Sequence, residues 1–304
     1  MKPFVPTLDP ENSKLDVVQV DDRVFALCAD KIPLNNSGFI VGDDAVLVVD
    51  SLITQKRAIE IQEIISSATN IPIRYLVNTN YHGDHTFGNF WFPRDCKIIA
   101  HHYTRQSMCD LDREKSHIKK AMGRAGDDIS NIIWRTPDIT FDTSLDIDLG
   151  NIIVQLKHYG RGNTRGDIII YIPGSKIAFT GNMVIGSGLI PSVLEGNADS
   201  YLSTLVAFKS DIPVNKIISG HGEINDSIQL DRHIDYLFYL NEELSNDISP
   251  TAKIHERFIN GREYSGNIGM EIHPYHQLIQ SIHEGNVKMC LEMRESNRRA
   301  MSNE

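Results

Sequence analysis

The chain has 304 residues, of which 41% are hydrophobic and 23% are charged, a composition typical of a soluble globular protein with a sizeable core. Its formal net charge of −10 and its pI near 5.6 argue against nucleic acid or an anionic membrane as a partner, because basic surfaces bind both. Composition therefore favours a small-molecule substrate or a protein partner.

Cysteine usage and the N-terminal stretch bear on location. The four cysteines are widely spaced and form no CxxC pair, which predicts neither a disulfide framework nor a structural zinc knuckle. The start of the chain lacks the apolar run of a secretory signal, and no apolar stretch approaches membrane-spanning length. These features favour a reducing, cytoplasmic location.

The first half of the chain is predicted to contain strands followed by helices. Short β-branched runs indicate four strands: DVVQV, RVFALCA, GFIVG and AVLVVD. An amphipathic helix is predicted over residues 54–68, and IRYLVNT then reads as a buried strand. A strand CKIIAH and a helical stretch over about 102–123 complete this half.

The second half repeats this order. Five strands are predicted, from DITF at 138–141 to KIAFTGN at 176–182, followed by a helix, the strand KIISGHG and a helical tail. Two β-rich halves with helices predict an α/β fold in which two sheets are sandwiched between helices. We expect one such domain over 1–225 and a helical C-terminal extension, 226–304, packed on it.

A cluster of metal-ligand residue types follows the predicted strand IRYLVNT. In YHGDHTFGN, the side chains of His82, Asp84 and His85 fall on a loop at the C-terminal end of that strand, where α/β proteins place their sites. Gly83 relaxes the backbone enough for these neighbours to converge. Imidazole and carboxylate together suit zinc, iron or manganese.

This motif resembles the H-x-H-x-D-H signature of the metallo-β-lactamase superfamily, with Asn80 in the position of the first histidine. Other landmarks follow in order: Asp50 ends the strand VLVVD, GRGNTRGD (160–167) resembles G-H-T-x-G-D, FTGN (179–182) resembles F-T-G-D, and SGHG (219–222) resembles P-G-H-G. The resemblance covers roughly residues 17–225. It implies the αββα sandwich of the metallo-β-lactamase fold.

The resemblance also implies two metal sites, and only the second keeps its ligands. The intact second site would use Asp84, His85 and His221. The first site and the bridging carboxylate correspond to Asn80, His82, Asn163 and Asn182. A neutral amide oxygen is a poor donor for zinc. We therefore expect one divalent metal, zinc first and iron second, with no second metal and with the three asparagines lining the site.

The activity implied by the resemblance is hydrolysis of a small-molecule ester, thioester, lactone or amide through a single metal. His82, as a ligand or a nearby base, and Asp84 are the predicted catalytic residues. Two alternatives stay open. Two histidines and a carboxylate also form the ligand set of mononuclear non-haem iron oxygenases, which would make this a non-hydrolytic enzyme of secondary metabolism. Asparagines at three ligand positions fit a metal-free pseudoenzyme or binding protein.

Residues around the motif have weaker signals. Asp50 is predicted to orient the motif loop from behind the ligands. His158 ends a predicted strand and can reach the pocket, although a structural role is the stronger alternative. The loop 183–196 is unusually apolar and predicts a substrate pocket lined by Ile185, Leu189 and Ile190, unless it packs on the core. The helical tail would cap this pocket or form a homodimer.

Overall fold

A computed structural model describes residues 8–123, 129–195, 197–245, 258 and 275–302. The first sheet contains seven strands in chain order: β1 (Leu15–Asp21), β2 (Val24–Ala29), β3 (Ser37–Val41), β4 (Val46–Val49), β5 (Ile73–Val77), β6 (Lys97–His101) and β7 (Ile139–Phe141). Strands β1 to β4 pair antiparallel, whereas β4 to β7 pair parallel. The carboxyl ends of the four parallel strands therefore share one edge.

The second sheet has the order β12-β11-β10-β9-β8. Its strands are β8 (Ser144–Asp148), β9 (Ile153–Lys157), β10 (Ile169–Ile172), β11 (Ile177–Gly181) and β12 (Lys216–Ser219). The described helices are α1 (Gln55–Ala68), α2 (Gly83–Thr86), α3 (His102–Ser107), α4 (Leu111–Met122), α5 (Ala198–Asp211), α6 (Ser227–Ser245) and α7 (His276–Ser302). Strands β8 to β11 form an antiparallel meander, and β12 joins β11 in parallel.

Alternating side chains divide the core into layers. Leu47 of β4 is buried between the two sheets, in the same cluster as Ile170 of β10. Val46 and Val48 of β4 belong to the cluster that includes Ile61 of α1, because successive side chains of a strand point to opposite faces. A third cluster joins the second sheet to α5, α6 and α7. The predicted αββα sandwich with C-terminal helices is confirmed.

One predicted strand belongs to a different sheet. DITF was predicted to open the second β-rich half, but β7 pairs in parallel with β6 at the edge of the first sheet. The carboxylate of Asp138 accepts from the backbone N–H of Ile98 at 2.9 Å, and Arg135 donates to the carbonyl of Cys96 at 2.6 Å. These contacts dock the segment along β6, and such long-range pairing is not encoded in a three-residue strand.

The C-terminal helices pack on the second sheet. Leu237 of α6 and Ile279 of α7 are fully buried in the cluster that includes Tyr201 of α5. The division of the chain at residue 225 stays a prediction. In the part of the chain that the structure describes, none of the helices combines the length and apolar character needed to cross a bilayer.

Candidate metal centre

The candidate centre lies at the carboxyl ends of four strands from both sheets. Asp50 follows β4, the motif at 82–85 follows β5, Asn182 follows β11 and His221 follows β12. Parallel pairing of β4 with β5 and of β11 with β12 brings these ends together in pairs. An isolated antiparallel bridge between Asn35 and His221 ties the two sheets together at the site.

Asp84, His85 and His221 form a compact cluster. Their candidate ligand atoms all lie within 4.8 Å of one another. The Oδ2 atom of Asp84 lies 3.5 Å from Nε2 of His221 and 3.8 Å from Nε2 of His85. Two donors at about 2.0–2.1 Å from one tetrahedral ion are roughly 3.4 Å apart. The three predicted ligands of the second site are thus placed to hold one metal ion.

Hydrogen bonds fix the orientation of both histidine rings. The Nδ1 atom of His221 donates to the carbonyl of Pro33 at 2.7 Å, and Nδ1 of His85 donates to Oδ2 of Asp50 at 2.8 Å. Because each Nδ1 carries a proton, Nε2 is the nitrogen left to bind a metal. The Nε2 atom of His85 lies 3.0 Å from Oδ1 of Asn182.

Asp50 connects the loop after β5 to the cluster. Its carboxylate is buried and accepts from Thr79 N at 2.8 Å and from Thr79 Oγ1 at 2.7 Å, in addition to His85. A Cβ atom on Gly181 would lie 2.3 Å from Oγ1 of Thr79. Only glycine therefore permits the end of β11 to lie this close to the loop after β5. The orienting role of Asp50 stays a prediction, and these contacts are the ones it requires.

Burial and charge oppose each other at the cluster. Burial lowers the pKa of His85, but the carboxylates of Asp50 and Asp84 outweigh it and raise the pKa to about 9. Burial keeps the pKa of His221 below its usual value. Burial raises the pKa of Asp84, yet the neighbouring histidines hold it below its usual range. At neutral pH, the metal-free cluster therefore has a protonated His85, a neutral His221 and an ionised Asp84.

Sequence and structure comparisons place this fold in a known family. A sequence profile of the metallo-beta-lactamase superfamily matches residues 33–221, which include all three residues of the cluster. The chain belongs to the metallo-beta-lactamase superfamily.

Two solved structures illustrate the shared fold. The metallo-beta-lactamase from Pontibacter korlensis has a TM-score of 0.62 at 17% identity, covering 74% of this chain and 99% of that one. TMB-1 has a TM-score of 0.58 at 18% identity, covering 77% of this chain and 99% of its own. At these identities the likeness shows the fold, and a shared fold does not by itself imply a shared reaction.

His82 of this superfamily member is not part of the cluster of Asp84, His85 and His221. Its Nδ1 atom is 3.4 Å from Oε1 of Glu114, and its buried Nε2 atom has no hydrogen-bond partner among the described residues. Burial lowers the pKa of His82, but the carboxylate of Glu114 outweighs this effect and raises it. The metal-ligand and catalytic roles of His82 stay predictions.

The three asparagines at family ligand positions have different partners. Asn80 turns back on its own loop, where Oδ1 accepts from His82 N at 2.9 Å. Asn163 donates to the carbonyl of Ser192 at 2.7 Å, while its Oδ1 atom is buried without a partner among the described residues. Asn182 contacts His85. The amide of Asn80 thus closes the motif loop of this superfamily member, and the lining of a metal site by the three asparagines stays a prediction.

Glu114 is the site residue that the sequence prediction missed. It lies on α4, is 6% exposed, and accepts from Gly83 N at 2.8 Å. A signal was present, because Glu114, Ile118 and Met122 recur at four-residue spacing on one helical face, and the other two members are apolar. An acid on the buried face of a helix is rare unless it has a specific partner.

His158 makes structural contacts. Its Nδ1 atom donates to the carbonyl of Asp167 at 2.8 Å, and its ring stacks on His101 with 3.8 Å between the ring centroids. The carboxylate of Asp167 accepts from Thr164 N at 2.7 Å, and burial raises its pKa to about 6. These contacts support the structural alternative for His158, and its place in a substrate pocket stays a prediction.

The loop after Asn182 is held by the C-terminal helices. Ile185, Leu189 and Ile190 lie in the core cluster that includes residues of α6 and α7. Gln229 of α6 donates to the carbonyl of Ile185 at 2.6 Å and to that of Leu189 at 2.8 Å. These contacts describe a loop packed on the core. The substrate pocket lined by these three apolar side chains stays a prediction.

A second clamp on this loop comes from α7. The side chain of Asn286 accepts from Val193 N at 2.7 Å and donates to the carbonyl of Pro191 at 2.8 Å. It is 2% exposed, so water does not replace these bonds readily. Through Ser192, which accepts from Asn163, the clamp connects the C-terminal extension to the site of this superfamily member.

The substitution Asn286→Ala is expected to lower the free energy of unfolding by about 2–6 kcal/mol. It leaves the N–H of Val193 and the carbonyl of Pro191 buried without partners, at about 1–3 kcal/mol each. Urea denaturation followed by circular dichroism measures this loss. The matched control is Asn297→Ala on the exposed face of α7, which should change the free energy by less than about 0.5 kcal/mol. Equal effects of the two substitutions would contradict the clamp.

Proposed function

We propose that this superfamily member hydrolyses a small-molecule ester, thioester, lactone or amide with one divalent metal, zinc, held by Asp84, His85 and His221. The main support is that both histidines engage fixed acceptors through Nδ1 and present Nε2 beside the carboxylate of Asp84. A metal held there polarises a carbonyl or lowers the pKa of a bound water.

The chain's own groups supply the rest of the chemistry. His82 is proposed to hold and move a proton at Nε2, the buried atom for which the described residues offer no partner. Asn163 is proposed to accept a hydrogen bond from the substrate through Oδ1, which is also unpartnered among the described residues. Asp50 keeps the ring of His85 in place during the reaction through its 2.8 Å contact.

The donor set also favours a second candidate function. Two histidines and one carboxylate with open positions are the ligands of mononuclear non-haem iron oxygenases, and the cluster has this composition. The identity of the metal separates the two candidates. A protein that binds neither metal would be a binding protein or pseudoenzyme of the same fold.

Metal analysis is the experiment that tests the proposal. We expect protein purified without chelators or tags to hold about one zinc per chain, because the three-residue cluster supports one ion. The zinc-loaded protein should hydrolyse at least one member of a panel of nitrophenyl esters, acyl thioesters, lactones and anilides, and chelation should abolish the activity. Iron with oxygen consumption would favour the oxygenase instead. Failure to bind either metal at micromolar concentration would overturn both metal mechanisms.

A further inference from the structure

The helix α4 supplies one carboxylate to the loop that carries the metal-ligand motif. Oε1 of Glu114 accepts from the backbone N–H of Gly83 at 2.8 Å and lies 3.4 Å from Nδ1 of His82. The same oxygen atom therefore contacts the backbone of one loop residue and the ring of the residue before it. This arrangement couples the placement of the ring to the path of the loop.

The loop path at this point is fixed by packing. A Cβ atom on Gly83 would lie 2.4 Å from the ring of Phe87, so the backbone runs directly against that ring. Phe87 is fully buried in the cluster that also includes Ile118 and Met122 of α4. One hydrophobic cluster thus holds both the loop and the helix that carries Glu114. Because burying a carboxylate is costly without partners, the position of Glu114 between them needs its contacts with the loop.

A carboxylate determines which nitrogen of a neighbouring imidazole carries the proton. It accepts hydrogen bonds and donates none, so the ring nitrogen that faces it is the one that carries a proton. In neutral His82 that nitrogen is Nδ1, which leaves the lone pair on Nε2. The Nε2 atom is buried and, among the described residues, has no hydrogen-bond partner. In the Nδ1–H tautomer this nitrogen carries no proton and can act as a base.

We propose that Glu114 is a positioning residue that selects the Nδ1–H tautomer of His82 and so leaves the lone pair on Nε2. An effect of Glu114 on catalysis rests on the proposed hydrolysis. The tautomer of His82 does not, because it exists without substrate or metal. Glu114 touches the loop and the ring, and it acts on the reaction only through His82.

Nitrogen NMR of the imidazole ring tests the tautomer directly. Protein labelled with ¹⁵N-histidine is compared at a pH where the ring of His82 is neutral, and the His82→Gln variant assigns the signals. The wild type should show a protonated Nδ1 and an unprotonated Nε2. In Glu114→Ala the two nitrogen shifts should move towards each other, because the acceptor that distinguishes them is gone. In Asp112→Ala, which removes an exposed acid from the same helix, the shifts should match the wild type.

The conservative variant Glu114→Gln separates hydrogen bonding from charge. Its amide oxygen can still accept from Gly83 N, and the atom that does so also faces His82 Nδ1, so the tautomer should be retained. If Glu114→Ala does not fold, the wild-type and Glu114→Gln spectra still decide. A wild-type ring protonated on Nε2, or unchanged shifts in a folded Glu114→Ala, would overturn the proposal.

Kinetics supply a second readout on any substrate found for the zinc-loaded protein. Glu114→Ala should lower kcat by about 10- to 100-fold with little change in KM, and Glu114→Gln should recover most of the loss. Zinc-dependent hydrolysis with an unchanged tautomer in Glu114→Ala would reject the role of Glu114 and leave the proposed function standing. A changed tautomer without hydrolysis of any panel member would reject the function and leave the role of Glu114 standing.

Discussion

Replacing His221 with alanine is expected to lower the zinc affinity by more than about 100-fold and to abolish metal-dependent hydrolysis. Substitutions of residues that merely orient a ligand already cost about 10- to 100-fold in affinity, and this one removes a ligand. A single imidazole and a single carboxylate would be left in the cluster. Competition titration against a chromogenic chelator measures the affinity, and the same samples measure hydrolysis.

The control for this substitution is His102→Ala. His102 is 40% exposed in its side chain, pairs with Asp142, and lies outside the cluster of candidate ligands. It should leave zinc affinity unchanged, and circular dichroism should show both variants folded. Unchanged affinity in His221→Ala would remove the proposed ligand role. An equal loss in both variants would mean that the measured zinc binds elsewhere on the protein.

The candidate ligands could be predicted from the sequence because they lie in short motifs at strand ends. Asp84 and His85 follow β5 within one loop, and His221 follows β12 directly. Strands of this kind are recognisable from their β-branched runs, and in α/β proteins their carboxyl ends carry the site. Spacing grouped Asp84 with His85, whereas His221 was joined to them by the resemblance of SGHG to the family motif.

The partners that hold those ligands could not be predicted in the same way. Glu114 reaches the motif loop from a helix outside the motifs, and Asn286 binds backbone groups of a loop more than 90 residues earlier in the chain. Asn80 was interpreted through the ligand it replaces, whereas its contact is with the backbone of His82. The contacts of Glu114 and Asn286 depend on the relative placement of distant segments, whereas that of Asn80 lies within the motif loop. Local sequence patterns do not specify that placement.

The zinc affinity of the wild type is expected to rise about tenfold for each pH unit between pH 7 and 9 and to level off above that range. The raised pKa of His85, about 9, means that the metal-free ring is protonated below this pH, with its Nε2 proton directed at Oδ1 of Asn182. Zinc needs the Nε2 lone pair, so binding releases this proton. His221 and Asp84 are already neutral and ionised, respectively, and release none. Chelator competition at buffered free zinc gives the slope.

Asp50→Asn is the variant that tests the cause of this slope. It removes the charge that most strongly raises the pKa of His85, so affinity should level off at a lower pH. Wild-type affinity that does not change between pH 7 and 9 would mean that Nε2 of His85 carries no proton for zinc to displace.

The stability of the metal-free protein should change with pH in the opposite direction to its zinc affinity. The folded-state pKa of His85 lies above its value of 6.5 in the unfolded chain, so its protonation stabilises the fold fully below pH 6.5. That contribution is lost as the pH rises through about 9, where the proposed zinc affinity is expected to be highest. The rise in Tm on adding zinc should therefore grow between pH 7 and 9, because the metal replaces the proton as the partner of His85 Nε2.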